Sequence, residues 1–231
     1  MGRFTGLLVL ALAMTAGTVT DAPAQAGSEA RVYSVIYVEV VTTAVADGVA
    51  LLKRYRDAAR RQDGNVRCEV VQRIGQPYQL VVLEVWRDRT AFEAHGGEGG
   101  TTELRGKLAA LRAAPADERV HGALSVGPPG AAPPRDAIHV VTHVDVIPPR
   151  KDDGVGALRR LGESSRTDDG NLRFEVVQQA NRPNHFTVVE VWRDAKAAEA
   201  HAMARSTREF RDALATMTGA LYDERMYRAI D

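Results

Sequence analysis

The chain has 231 residues, 45% of them apolar and 26% charged, with 30 basic and 30 acidic side chains and a formal charge of zero. Its one cysteine, Cys68, excludes an internal disulfide framework and a multi-cysteine metal site. The even charge argues against the basic surface that nucleic-acid binding requires, and the apolar fraction is ample for a folded core.

The chain begins with the marks of an address. Arg3 supplies a positive start, residues 7–16 (LLVLALAMTA) form an apolar run, and Ala24-Gln25-Ala26 stands before Gly27 in the A-x-A pattern of a signal-peptidase site. The run is well short of the ~20 residues that span a bilayer. Residues 1–26 are therefore expected to be a cleaved signal peptide, leaving a soluble periplasmic or secreted protein with no membrane attachment. Cleavage removes one base, Arg3, and one acid, Asp21, so neutrality survives it.

Beyond the leader the chain repeats itself. DGNVRCEVVQ at 63–72 recurs as DGNLRFEVVQ at 169–178, EVWRD at 84–88 recurs at 190–194, and EAH at 93–95 recurs at 199–201. Every pair is 106 positions apart. Aligning 32–125 on 138–231 without a gap gives about 38 identities, a tandem duplication of one unit and not a short-period solenoid. The boundaries are a first unit at 31–126, a Pro- and Gly-rich linker at 127–137, and a second unit at 138–231.

Taken in chain order, each unit opens on a β-branched, roughly alternating strand, at 31–41 and at 138–147. Helical spacing follows at 47–62 and 152–168, and Asp-Gly-Asn makes a turn at 63–65 and 169–171. Two strands joined as a hairpin come next, near 66–74 and 79–87, and again near 172–180 and 185–193. A helical region covers about 89–113 and 195–218, and a last strand lies near 117–125 and 221–230. Gly96, Gly97, Gly99 and Gly100, each costing a helix about 1 kcal/mol relative to Ala, predict a break in the first copy of that helix. The second copy reads AMARSTREFRDAL and is expected to run on unbroken, which favours the second unit as the active half if only one works.

The order βαββαβ is the ferredoxin-like unit, and the fold class is α+β. Helices on one face of such a four-stranded antiparallel sheet leave the other face open. Two units on one chain can close that face against each other, as an intramolecular pseudo-dimer with the linker supplying a high local concentration. Further homo-oligomerisation is left open.

The stretches GNLRFEVVQ, VVEVWRDAKAAEAH and ALYDERMY, with their first-copy partners GNVRCEVVQ, VLEVWRDRTAFEAH and DERV, resemble the antibiotic biosynthesis monooxygenase family. The family includes quinol monooxygenases and anthrone oxygenases. The resemblance covers nearly the whole chain after the leader, and its strongest piece is Glu-x-Trp on a strand with Glu-Ala-His ending nine residues after the Trp. It implies a dimeric α+β barrel, here fused, and oxidation of an electron-rich aromatic by O₂ with neither flavin nor metal. No G-x-G-x-x-G or G-x-x-x-x-G-K occurs, so no cofactor is expected, although that absence fits a non-catalytic protein equally.

Such chemistry needs a dry pocket, a base for a phenolic or anthrone proton, and donors that hold the resulting anion. His201 and His95 are the candidate bases, with a surface or capping histidine as the alternative. Trp192 and Trp86 could wall an aromatic pocket or pack in the core. Asn171 and Asn65 could donate to a substrate oxygen or simply complete their turns. Glu190 and Glu84, two residues before the Trp on the same strand face, could partner the histidines or be solvated. On the first strands His139, His143 and Asp145 stand where the first copy has Tyr33, Tyr37 and Glu39. His139 and His143 are about 13 Å apart along a strand, too far to share a metal ion. His143 and Tyr37 could instead supply polar groups to a cavity or lie on an exposed face.

Two departures from the family pattern matter. Haem-degrading proteins of this fold carry a histidine ligand where this chain has Arg105 and Arg211, which weighs against haem. A second histidine found in several relatives five residues after Glu-Ala-His is replaced by Gly100 and Ser206. A non-catalytic barrel that binds a small ligand is accordingly the alternative to a monooxygenase.

Overall fold

The structure, a computed structural model, describes residues 1–2, 30–128, 130 and 132–230. The leader expected at 1–26 lies, apart from its first two residues, outside them. Among the described residues no helix is long and apolar enough to cross a membrane.

The first repeat is built of β1 (Val32–Glu39), α1 (Val45–Ala59), β2 (Asn65–Arg73), β3 (Gln79–Trp86), α2 (Arg89–Gly97), α3 (Gly99–Ala109) and β4 (Asp117–Ser125). The second has β5 (Ile138–Asp145), α4 (Lys151–Ser165), β6 (Asn171–Gln179), β7 (His185–Trp192), α5 (Ala195–Ala202), α6 (Arg205–Ala215) and β8 (Asp223–Ala229). The order is the expected βαββαβ, twice.

Both copies of the second helical region are broken, at Glu98 and at Ala204, each with extended backbone. The expectation of one continuous helix in the second repeat fails, and glycine is not the cause of the break. Gly96 and Gly97 lie inside α2, while Ala204, an excellent helix former, opens the kink in the other copy. Tertiary packing around the histidine just before the kink overrides propensity in both.

The strands form one closed barrel in the order β1-β3-β2-β8-β5-β7-β6-β4. Within each repeat the order is that of the ferredoxin-like unit. The repeats also join edge to edge, through β2 with β8 and β4 with β6, so no strand edge is left unpaired. Alternation along each strand then divides the core in two. Ile36, Val38, Val82 and Trp86 face the helices, whereas Val35, Val81 and Leu83 fill the barrel with Val141, Val189 and Tyr227 from the other repeat.

The Asp-Gly-Asn turns are required by two constraints at once. Gly64 and Gly170 have φ of 82° and 78°, in the left-handed region, and a Cβ on either would come 2.4 or 2.5 Å from the Cβ of Ala91 or Ala197. The following helix is thereby seated directly on the turn. Arg87 and Arg193 pair with the turn aspartates Asp63 and Asp169, and Asp88 and Asp194 cap the helices through Ala91 N and Ala197 N, both at 2.8 Å. Most of the shared W-R-D and D-G-N motifs is thus structural.

Inside the barrel, charges bridge the repeats. Arg67 on β2 forms a bidentate pair with Glu175 on β6, at 2.5 and 3.1 Å, and Arg173 reciprocates with Glu69 at 2.6 and 3.1 Å. Burial alone would raise the Glu69 carboxyl, but Arg173 and Arg67 outweigh it and hold the group at about 2. Because the folded value lies below the ordinary 4.5, its stabilisation is complete above that value and is lost as pH falls from there through about 2. Glu69→Gln should cost about 3 kcal/mol at neutral pH, since it strands a buried arginine. Urea denaturation at pH 7 and pH 3 checks both points: the variant should be weaker at pH 7 and its deficit should shrink at pH 3.

Candidate functional site

The Glu-x-Trp and Glu-Ala-His motifs meet in each repeat. Glu84 and Trp86 project from the helix-facing side of β3, and the kink after α2 turns the last turn of that helix onto them. His95 stacks on Trp86 with ring centres 4.5 Å apart and planes 27° from parallel, and His201 stacks on Trp192 at 4.5 Å and 23°. Glu84 Oε1 lies 3.4 Å from His95 Nε2, and Glu190 Oε2 lies 3.7 Å from His201 Nε2. Thr101 and Thr207, from the helices after the kinks, bring hydroxyls to 3.3 Å from the imidazoles. All these groups are buried. The glutamates are partners of the histidines and not solvated carboxylates, while the tryptophans are core residues that wall the imidazoles, not a ligand space.

The two sites differ in what else the imidazole touches. In the first repeat the Gln62 amide oxygen accepts from His95 Nδ1 at 2.7 Å, which leaves Nε2 to accept from the Tyr55 hydroxyl, also at 2.7 Å. Arg105 Nη2 donates to the same Tyr55 oxygen at 3.2 Å and lies 3.4 Å from Glu118. Burial, with Glu84 adding to it, pushes the Tyr55 hydroxyl well up against the opposing effect of Arg105, so it stays protonated at neutral pH. In the second repeat Asp168 replaces Gln62 and accepts from His201 Nδ1 at 2.8 Å, and Leu161 replaces Tyr55. Trp192 Nε1 donates to Glu190 at 2.7 Å, whereas the Trp86 indole N–H has no partner.

A cavity of about 260 Å³ opens beside the first of these sites, between the sheet and the helices. Ile36, Val38, Val82, Leu104 and Leu108 make its apolar walls, and Tyr55, Arg105 and Glu118 make its polar edge. His95 stands behind Tyr55, not in the wall. In the second repeat Phe210 replaces Leu104, Phe174 replaces Cys68 and Tyr222 replaces Ala116. Phe174, Leu161 and Phe210 belong to one buried cluster against which Tyr222 packs. His201 borders a hollow shared with Asp168 and Ala204.

The remaining expected site residues lie elsewhere. Asn65 and Asn171 begin β2 and β6 opposite the tryptophans; Asn65 faces the mouth of the barrel, and Asn171 donates to Arg173 O at 3.4 Å. Tyr37 and His143 line the far end of the barrel, where Arg119 lies 4.9 Å from the Tyr37 ring centre and His185 contacts His143 at 3.3 Å. Neither pair meets His95 or His201. Among the described residues no group of three or more His, Cys, Asp or Glu is placed to hold a metal ion. Cys68 is wholly buried and its thiol is pushed well up by burial, which suits packing and not nucleophilic attack.

Tyr55 is the site residue that sequence reasoning missed. It lies on the apolar face of α1, its counterpart is Leu161, and only the fold reveals the Arg105 and His95 contacts to its oxygen.

Burial pushes the Glu190 carboxyl up to about 8, with the Trp192 hydrogen bond opposing and Glu224 adding. Burial likewise pushes His201 down, against its bond to Asp168. A carboxyl raised in the folded state stabilises fully below the ordinary 4.5, and that contribution is lost as pH rises through about 8. Glu190→Gln should abolish this decline, so denaturation midpoints at pH 5 and pH 8.5 should draw together in the variant. A decline as steep as that of the parent would show that Glu190 is ionised throughout.

The sequence profile of the antibiotic biosynthesis monooxygenase family matches residues 31–101 and 137–216. No curated protein matches the chain in sequence. Among solved structures, a candidate monooxygenase from Fusobacterium nucleatum superposes with a TM-score of 0.79 at 13% identity, over 87% of this chain and 93% of that one. An anthrone oxidase-like protein superposes with a TM-score of 0.72 at 13% identity, over 89% and 93%. A candidate monooxygenase from Lactobacillus acidophilus gives 0.71 at 10% identity, over 87% and 94%. These likenesses are in fold and span both repeats. The profile match takes in most of the chain and both copies of the Trp and His motif: the protein belongs to the antibiotic biosynthesis monooxygenase family.

Proposed function

We propose that the chain is an exported monooxygenase that oxidises a quinol or related electron-rich aromatic with O₂, without flavin or metal, in the cavity of the first repeat. The cavity carries the proposal: an apolar space with one polar edge, at which a hydroxyl, a guanidinium and a carboxylate converge and a buried imidazole stands behind. Family membership supports a monooxygenase-type reaction. A cavity of roughly 150 Å³ holds benzene, so about 260 Å³ suits a substituted aromatic of one or two rings.

The proton path follows from the hydrogen bonds. A substrate hydroxyl at the polar edge gives its proton to the Tyr55 oxygen as Tyr55 gives its own to His95 Nε2. The imidazolium so formed lies 3.4 Å from Glu84, and the phenolate left behind lies beside Arg105. The electron-rich anion then reduces O₂. One oxygen atom enters the ring, the other leaves as water, and a quinol ends as a hydroxyquinone, so the substrate supplies all four electrons. The choice of half is the reverse of the one favoured by helix propensity, because Phe210 and Tyr222 pack where a ligand would sit in the second repeat.

Oxygen uptake with a panel of benzo- and naphthoquinols tests the proposal. The parent should turn over at least one quinol, and His95→Ala and Tyr55→Phe should each lower kcat by ~10². His201→Ala should leave turnover within a few-fold. Copying the second repeat into the first, as Leu104→Phe with Ala116→Tyr, should abolish turnover while the fold persists. Loss on His201→Ala with none on His95→Ala would assign the chemistry to the other half. Quinol binding without O₂ uptake would identify a non-catalytic ligand barrel.

A further inference from the structure

A larger cavity lies away from the quinol site. It occupies about 540 Å³ at one end of the barrel, within the size range of small-molecule sites, and linker residues including Gly127 and Pro134 border it. Its floor is the reciprocal quartet of Arg67, Glu175, Arg173 and Glu69, in which the two acids neutralise the two bases. Tyr33 and His139, which occupy equivalent positions in the two repeats, both line it.

Above this neutral floor the charges do not balance. Arg31, Arg56 and Arg60 also line the cavity, and among the described residues the floor glutamates are its only acidic lining. Arg56 is paired with Asp57 at 2.8 Å. Among the described residues no salt bridge holds Arg31 or Arg60; Arg60 spends one donor on the Cys68 carbonyl at 2.8 Å and keeps the rest of its guanidinium. A second observation points the same way. His139 is 1% exposed, yet neither of its ring nitrogens has a hydrogen-bond partner. A buried imidazole without partners bears a desolvation cost that an acceptor in the cavity would remove. Burial also pushes His139 down to about 4, so at neutral pH it offers one N–H and no charge. Val66, Val70, Val85 and Leu172 complete the walls with apolar surface.

We propose that the linker-bordered mouth of the barrel binds a small organic anion, a carboxylate or phosphate on an apolar body, with Arg31 and Arg60 holding the charge and His139 donating to one of its oxygens. Two guanidiniums with no salt-bridge partner among the described residues match the planar, multi-acceptor geometry of either head group. The site is separate from the Tyr55 cavity and does not depend on quinol oxidation.

Calorimetric titration of the folded chain with 1-naphthoate, 1-naphthyl phosphate, inorganic phosphate and neutral 2-naphthol tests it. One of the two naphthyl anions should bind, the tighter naming the head group, and its affinity should fall with added salt. Arg31→Ala with Arg60→Ala should weaken it at least tenfold, and the corresponding double Lys variant should retain part of it and report on folding. Leu104→Phe with Ala116→Tyr, which fills the quinol cavity, should leave it unchanged. Ile230 lines the cavity and Asp231, the residue after it, lies outside the described residues, so a chain lacking Asp231 belongs in the set. Failure of both naphthyl anions to bind the parent would overturn the proposal. So would an affinity insensitive to the Arg31 and Arg60 changes, equal binding of 2-naphthol at the same site, or binding that appears only once Asp231 is removed.

Discussion

An imidazole lying flat on an indole, with a buried carboxylate at its edge, is the contact around which each repeat is arranged. To place His95 on Trp86, the helix carrying it must start on the Asp-Gly-Asn turn, stop within three turns, and resume at an angle that delivers Thr101. The glycine with its positive φ, the capping aspartate after Trp-Arg and the kink are consequences of that one requirement. The same set recurs around His201. It recurs although the surrounding side chains have changed, which marks the stack as the common element and the neighbours as the variables.

Those neighbours decide what each half can do. A neutral amide on Nδ1 and a tyrosine hydroxyl on Nε2 connect His95 to a ligand space through one intervening oxygen. A carboxylate on Nδ1 and a leucine in place of the tyrosine leave His201 polarised but sealed from the interior, beside the hollow it shares with Ala204. On the cavity wall two exchanges add bulk, Leu104 to Phe210 and Ala116 to Tyr222, read from the first repeat to the second. An open cavity and a packed core are thus alternative fillings of one scaffold, as expected where function is set by side chains grafted on a shared fold.

Much of this was legible before any coordinates. The 106-residue offset, strand alternation and turn chemistry lead to two βαββαβ units, and Glu-x-Trp with Glu-Ala-His singles out the acid, indole and imidazole that the fold places side by side. Two features were not, and a third was legible but easily passed over. The kink at Ala204 follows no local rule, because the force behind it is the burial of His201 against Trp192 and Thr207. Tyr55 reads as an ordinary core aromatic until Arg105 and His95 are seen on its oxygen. The interior charges carried a usable signal: Arg67 and Glu69 alternate with Cys68 and Val70, and Arg173 and Glu175 with Phe174 and Val176, so charged and apolar residues take opposite faces of a strand. With helices already assigned to the apolar face, only the barrel interior remained for the charges.

The linker has a consequence beyond holding the halves together. In a dimer of two identical chains, every residue beside the symmetry axis faces its own twin, so a change there arrives on both sides at once. Joining the copies lifts that restriction. Tyr33 can stand in one half where the other has His139, and one half can keep a cavity while the other closes it, because each copy is inherited as a separate stretch of sequence. Fusion converts an enforced equality into two positions that can drift apart, and the barrel axis, the most constrained place in a symmetric pair, becomes available for a specialised pocket.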